Sequence, residues 1–141
     1  REASALYLRQ KAEARQQFLD YESLERFWRL KMGGLRHEEF HVAHLDASNR
    51  LLQRGTEAME CGVPSQAVVY PRKVMESALR RGSAALVFAH NHPSGEARPS
   101  LQDRELTRAL QGAAQALQIR VLDHVVVTAD ETFSFRREGL L

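Results

Sequence analysis

One cysteine, Cys61, occurs in the 141 residues. A lone thiol forms no internal disulfide. It cannot build a multi-cysteine zinc site or the paired-cysteine half of a zinc deaminase, and it suits a reducing, cytoplasmic setting. No base stands beside Cys61 in sequence to activate it, so it reads as a small core or loop residue rather than a nucleophile. No apolar run approaches the roughly 20 residues that span a bilayer, so no membrane partner is expected. The opening REASALYLRQ lacks the apolar stretch of a signal peptide. Charge of one sign is also missing: 20 Lys and Arg against 18 Asp and Glu leave +2. The arginines are scattered, with doublets at 80–81 and 136–137. Duplex binding wants clustered basic side chains, so DNA contact is a weak expectation. Internal repeats and low-complexity linkers are absent. Opening on Arg1 rather than methionine, the chain reads as a fragment or a trimmed piece.

What is present is ordinary globular composition, 43% hydrophobic and 27% charged, in a chain long enough for one compact domain with a core. Residues 2–19 are rich in helix formers and predict an N-terminal helical extension over 1–19, ahead of a domain over 20–141. Asp20 and Ser23 are candidate caps for a next helix with Leu24, Phe27, Trp28 and Leu30 on one stripe, ended by Gly33-Gly34. The Phe27-Trp28 pair reads as core packing. EEFHVAHLD and LLQRGTE, joined by DASNR, predict two antiparallel strands. Residues 58–69 read as irregular, closing on a short strand. Pro71 suits a first helical turn, PRKVMESALRR continues that helix, and Gly82 stops it. SAALVFA is a strand buried on both faces. SLQDRELTRALQGAAQAL is a long helix, IRVLDHVVVT a strand and TFSFR another. Strands interleaved with helices predict an α/β domain with a mixed sheet flanked by helices.

His90 and His92 sit at the end of the buried strand. On extended backbone, residues two apart face the same side about 6.5–7 Å apart, so both rings can converge on one ion at about 2.0–2.1 Å. Pro93, Ser94 and Gly95 then turn the chain away. Ser100 and Asp103 have a plain reading as helix cap and acidic third residue. They also have a functional one, in which the helix start delivers Asp103 as third ligand and Ser100 as a hydroxyl donor. One geometry serves both. Three ligands leave a fourth position for water, the arrangement of catalytic rather than structural zinc, and the ion lowers that water's pKa toward about 7. A carboxylate outside the ligand set must then take the proton. Glu38 and Glu39 are the candidates, on opposite faces of the first strand, and strand register alone leaves both open.

HxHP followed by S-x-x-D, with an upstream glutamate on a strand, resembles the JAMM metalloprotease motif of JAB/MPN domains. HNHPSG with PSLQD, YPRKV at 70–74 and VLDH at 121–124 narrow the resemblance to the RadC family, over roughly residues 20–141. It implies a JAB/MPN-like layered fold, similar to that of cytidine deaminases. It also implies one zinc ion per chain held by His90, His92 and Asp103, Ser100 at the tetrahedral oxyanion, and Glu38 rather than Glu39 as the base. The activity implied is hydrolysis of a peptide or isopeptide carbonyl, with a peptide or ubiquitin-like protein as substrate class. His37 stands where the family has arginine, and Tyr70 where it has histidine before Pro-Arg. The helix-hairpin-helix region that often precedes the family's domain is not in the sequence. The family is named for DNA repair, a name that says little about substrate.

Two decoys lie nearby. HEEFH, His37 to His41, matches the zincin pattern H-E-x-x-H, which needs a helix, yet the segment alternates like a strand. The tripeptide His-Asn-His matches the nuclease of that name only in its letters. His44 and His124 read as ordinary strand residues, although the resemblance places Asp123 and His124 near the site. The rival function is a binding module associated with DNA repair, its metal structural or idle. A general base beside a full ligand set favours the hydrolase. Oligomeric state and natural substrate are left open by the sequence.

Overall fold

The computed structural model describes residues 15–59 and 68–141. In chain order these form α1 (Tyr21–Met32), β1 (Phe40–Leu45), β2 (Leu51–Met59), α2 (Pro71–Arg81), β3 (Ala85–Asn91), α3 (Leu101–Ala116), β4 (Arg120–Val127) and β5 (Thr132–Ser134). The strands make one mixed sheet in the order β2-β1-β3-β4-β5. β3 and β4 run parallel and every other neighbouring pair is antiparallel. The βαβ crossover through α3 lays that helix against one face.

Strand alternation sorts the core into two layers. Ala43, Leu45, Val87, Ala89, Val125 and Val127 face α1, where Leu24, Trp28 and Met32 meet them. Phe40, Val42, Leu86 and Phe88 face the other way, against Val74 and Ala78 of α2 and Leu110 and Ala114 of α3. The result is a helix–sheet–helix sandwich, the α/β class with a mixed sheet that the sequence predicts.

Local chemistry explains the helix ends. The Asp20 carboxylate caps α1 by accepting from the Ser23 N–H at 2.8 Å. Ser23 lies inside the helix and is not a cap; its hydroxyl donates to the Asp20 carbonyl. Leu30 is 82% exposed, and the buried stripe ends on Met32 instead, because the helix presents Leu24, Trp28 and Met32 at four-residue steps. Pro71 opens α2, and Gly82, at φ 71°, closes it in a left-handed conformation that favours glycine.

Three further expectations change. Residues 15–19 do not continue a helix: Gln17 bridges to Arg50, the Leu51 N–H donates to the Gln16 carbonyl, and Phe18 is buried in the α1-side core. Pairing with the β1–β2 turn outweighs their helix propensity; residues 1–14 of that extension lie outside the described residues. Val68 and Val69 form no closing strand, and Val69 packs against the core on the α2 and α3 side instead; Cys61 and the rest of 60–67 also lie outside. Finally, β1 begins at Phe40, so Glu38 and Glu39 precede the strand.

Candidate metal centre

Phe40, Phe88 and His90 share the face of the sheet covered by α2 and α3. His90 stacks on Phe40, ring centroids 6.0 Å apart, near the C-terminal end of β3. That end of a strand is where open α/β sheets gather their sites. His92 follows directly after the strand. The turn beyond it is closed by the Gly95 N–H donating to the His92 carbonyl at 3.1 Å, with Gly95 at φ 94°. The turn brings the Glu96 carbonyl back to accept from His92 Nδ1 at 2.9 Å. A carbonyl only accepts, so His92 carries its proton on Nδ1 and turns Nε2 inward.

Asp103 arrives from the first turn of α3. Ser100 and Asp103 form a full capping box there, with the Ser100 hydroxyl accepting from the Asp103 N–H at 3.0 Å and Asp103 Oδ2 accepting from the Ser100 N–H at 2.8 Å. The same Oδ2 lies 3.2 Å from His92 Nε2 and 3.3 Å from His90 Nε2, and the two Nε2 atoms are 3.0 Å apart. Four ligands at 2.0–2.1 Å in a tetrahedron stand about 3.3 Å from one another. The three donor atoms therefore already have the spacing of three corners of such a site, and N,N,O is a donor set that zinc accepts. Glu38 reaches the group from the chain before β1, its Oε1 3.6 Å from His92 Nε2. Glu38, His90, His92 and Asp103 each offer an atom within 4.8 Å of the others. Among the described residues this is the one such group.

Glu39 turns elsewhere, its carboxylate accepting from His41 Nε2 at 2.9 Å while its N–H donates to Asn91 Oδ1 at 2.7 Å. His41 belongs to β1 and packs edge-on against Trp28, so HEEFH forms no zincin helix and His37 and His41 stay out of the cluster. His44 is fully buried in a separate network. Its Nδ1 meets the Ser83 hydroxyl at 2.8 Å and its Nε2 meets Glu57 Oε2 at 2.5 Å.

Electrostatics follow from the crowding. Burial pushes the Asp103 carboxyl up, but the facing His90 and His92 imidazoles and the hydrogen bond from the Ser100 N–H outweigh it and hold the acid far below its usual range. Burial likewise pulls His92 down, yet the hydrogen bonds to Asp103 and Glu96 and the Asp103 and Glu38 charges leave it above its ordinary value.

Two residues stand behind the site: His124, which reads by pattern as an ordinary strand residue and which the resemblance puts near the site, and Thr107, which the sequence reading did not single out. His124 of β4 meets His90 Nδ1 through its Nε2 at 2.7 Å, and its own Nδ1 lies 2.6 Å from the Thr107 hydroxyl. Burial drives the His124 pKa well below its ordinary value. The sequence does hold one signal for Thr107: it falls four residues after Asp103, on the same helix face. Asp123, by contrast, bonds Ser134 Oγ and the Arg136 N–H on the β5 side. Beside the cluster opens a cleft of about 230 Å³, whose walls pair Glu38, His90 and Asp103 with the apolar Phe40, Val69 and Leu106. No helix among the described residues is long and apolar enough to cross a membrane.

Comparison with known proteins bears on the family of the chain. The family described as RadC-like JAB domain matches residues 18–140. A UPF0758 protein of Burkholderia cenocepacia is 44% identical over 132 residues, covering 94% of this chain and 51% of the relative. One from Aromatoleum aromaticum is 52% identical over 116 residues, covering 80% of this chain and 50% of the relative. One from Pseudoalteromonas translucida is 39% identical over 140 residues, covering 99% of this chain and 62% of the relative. The chain thus spans about half the length of the first two.

Proposed function

The chain belongs to the RadC-like JAB domain family, and from that premise we propose that it is a zinc-dependent hydrolase of peptide or isopeptide bonds. One observation carries the reading: the side chains of Glu38, His90, His92 and Asp103 converge within 4.8 Å beside an open cleft. His90, His92 and Asp103 would hold the ion. When bound there, zinc supplies a Lewis acid that brings the pKa of a water close to neutrality.

The chain's own residues then divide the work. Glu38 takes the proton from the attacking water as its oxygen bonds to the scissile carbonyl carbon, and later passes that proton to the leaving amine as the C–N bond breaks. The Ser100 hydroxyl accepts from the Asp103 N–H through a lone pair, which leaves its own proton to donate to the tetrahedral oxyanion. Phe40, Val69 and Leu106 give the cleft an apolar wall suited to a side chain next to the scissile bond.

The substrate class we read is a peptide or a ubiquitin-like conjugate, encountered in the cytoplasm. Duplex DNA fits less well, because the basic residues are scattered. A binding module with an idle metal has no use for a carboxylate poised at the ligand set. Incubating zinc-loaded protein with unfolded peptides and ubiquitin-like conjugates, beside a nuclease control, tests the reading. Peptide or isopeptide cleavage that is lost on chelation supports it. Cleavage of DNA alone, or of nothing, contradicts it.

A further inference from the structure

Both histidines of the candidate metal centre must present Nε2 as a bare lone pair, and the structure secures the two rings in different ways. Behind His92 stands the Glu96 carbonyl, which can only accept and so pins the ring's proton to Nδ1. Behind His90 stands another imidazole, His124, at 2.7 Å. A ring nitrogen can sit on either side of a hydrogen bond, so His124 alone leaves the His90 tautomer undetermined. We propose that Thr107 and His124 are positioning residues for His90: a one-way donor chain that ends on the Asp103 backbone carbonyl and keeps His90 Nε2 free for the metal. The proposal rests on the metal-site reading above and assigns roles to two residues outside the ligand set.

Proton counting fixes the direction. Thr107 Oγ1 lies 2.7 Å from the Asp103 carbonyl oxygen and 2.6 Å from His124 Nδ1. The carbonyl only accepts, so the single hydroxyl proton of Thr107 goes there. What Thr107 offers His124 is a lone pair, and His124 Nδ1 must carry the hydrogen. The Nε2 atom of a neutral His124 is then bare and can only accept, so His90 Nδ1 carries the next hydrogen. His90 Nε2 is left as the lone pair. Running the chain backwards would set two bare oxygens 2.7 Å apart at Thr107 and put a hydrogen on His90 Nε2, where the ion belongs.

The surroundings give the chain no other outlet. His124 is fully buried. Phe135 stacks on it at 4.5 Å, and Phe40 and Phe88 meet it edge-on at 5.4 and 6.1 Å, so water has no place as an alternative partner. The chain also closes on itself. Asp103 points its carboxylate at the ligand nitrogens while its carbonyl, one helical turn before Thr107, receives the last proton. α3, β4 and β3 are thereby tied to one another at the site.

Thr107→Val keeps the side chain's shape and removes the hydroxyl; Thr107→Ser keeps the hydroxyl. Zinc affinity, measured by chelator competition on folded protein, is expected to fall about 10–100-fold in Thr107→Val and to return close to wild type in Thr107→Ser. Nitrogen-15 NMR of zinc-loaded wild-type protein is expected to show both His90 and His124 protonated on Nδ1. A His124 proton on Nε2, or a Thr107→Val protein that binds zinc as tightly as wild type, would overturn the donor chain while leaving the metal site standing. Wild-type protein that binds no zinc would overturn both.

Discussion

Ser100 and Asp103 hold each other twice: the serine hydroxyl accepts the Asp103 N–H at 3.0 Å, and the aspartate accepts the Ser100 N–H at 2.8 Å through the same oxygen that faces His90 and His92. The capping geometry is also the one that turns Asp103 toward the two histidines. The bond that orients Asp103 comes from the backbone of Ser100, not its side chain, so the two can be separated by mutation.

Ser100→Ala removes the cap acceptor and is expected to cost about 0.5–2 kcal/mol of stability, with zinc content unchanged because the backbone N–H remains. Turnover should fall by about a hundredfold or more. Ser100→Asn caps as well as serine but brings no hydroxyl, so it should recover stability without turnover. Thermal melts and a peptide-cleavage assay on both variants decide the matter; activity recovered together with stability would make Ser100 a cap only.

His92→Ala removes a proposed ligand that lies after β3 and outside both cores. The variant should stay folded and lose most of its zinc, whereas His37→Ala and His41→Ala should keep it. Elemental analysis reads this directly, and unchanged zinc in His92→Ala would contradict the ligand assignment.

Burial lowers the pKa of His44, against the pull of Glu57, and lowers that of His124 further. A histidine held neutral by the fold takes up its proton more readily unfolded, so its contribution is present at high pH and is lost as pH falls below 6.5, the ordinary value. His92, raised in the metal-free fold, works the other way. Metal-free His92→Ala protein lacks that opposition and should show a denaturation midpoint that declines steadily below pH 6.5. A flat midpoint would mean that His44 and His124 are not held neutral.

Much of this was legible before any coordinates. Period-two and period-3.6 patterns, Pro71 and Gly82 at the ends of α2, and the continuous apolar run of β3 each report a local rule, and the HxHP and S-x-x-D spacing places its residues by strand and cap geometry alone. What was not legible depends on partners distant in sequence. Residues 15–19 pair with the β1–β2 turn instead of coiling. Leu30 drops off the buried stripe of α1 because the sheet takes the face of Leu24, Trp28 and Met32, and a residue two positions from Trp28 lies on the far side of the helix. The partnership of His124 with His90 exists only because β4 lies parallel to β3, and no spacing within either strand announces it. Glu38 and Glu39 were equivalent by register; their differing partners, His92 and His41, appear only once β1 is seen to start at Phe40.

Hydrolysis by zinc-loaded wild-type, Glu38→Gln and Glu39→Gln protein, each with its zinc content measured, bears most directly on whether the cluster is a catalytic centre. An amide cannot accept the water's proton. Glu38→Gln is therefore expected to keep one zinc per chain and lose turnover by about 10²–10⁴-fold, while Glu39→Gln, whose carboxylate meets His41, stays near wild type. Equal activity in wild type and Glu38→Gln at equal zinc, or a loss carried by Glu39→Gln instead, would contradict Glu38 as the base and with it the hydrolase assigned to this site.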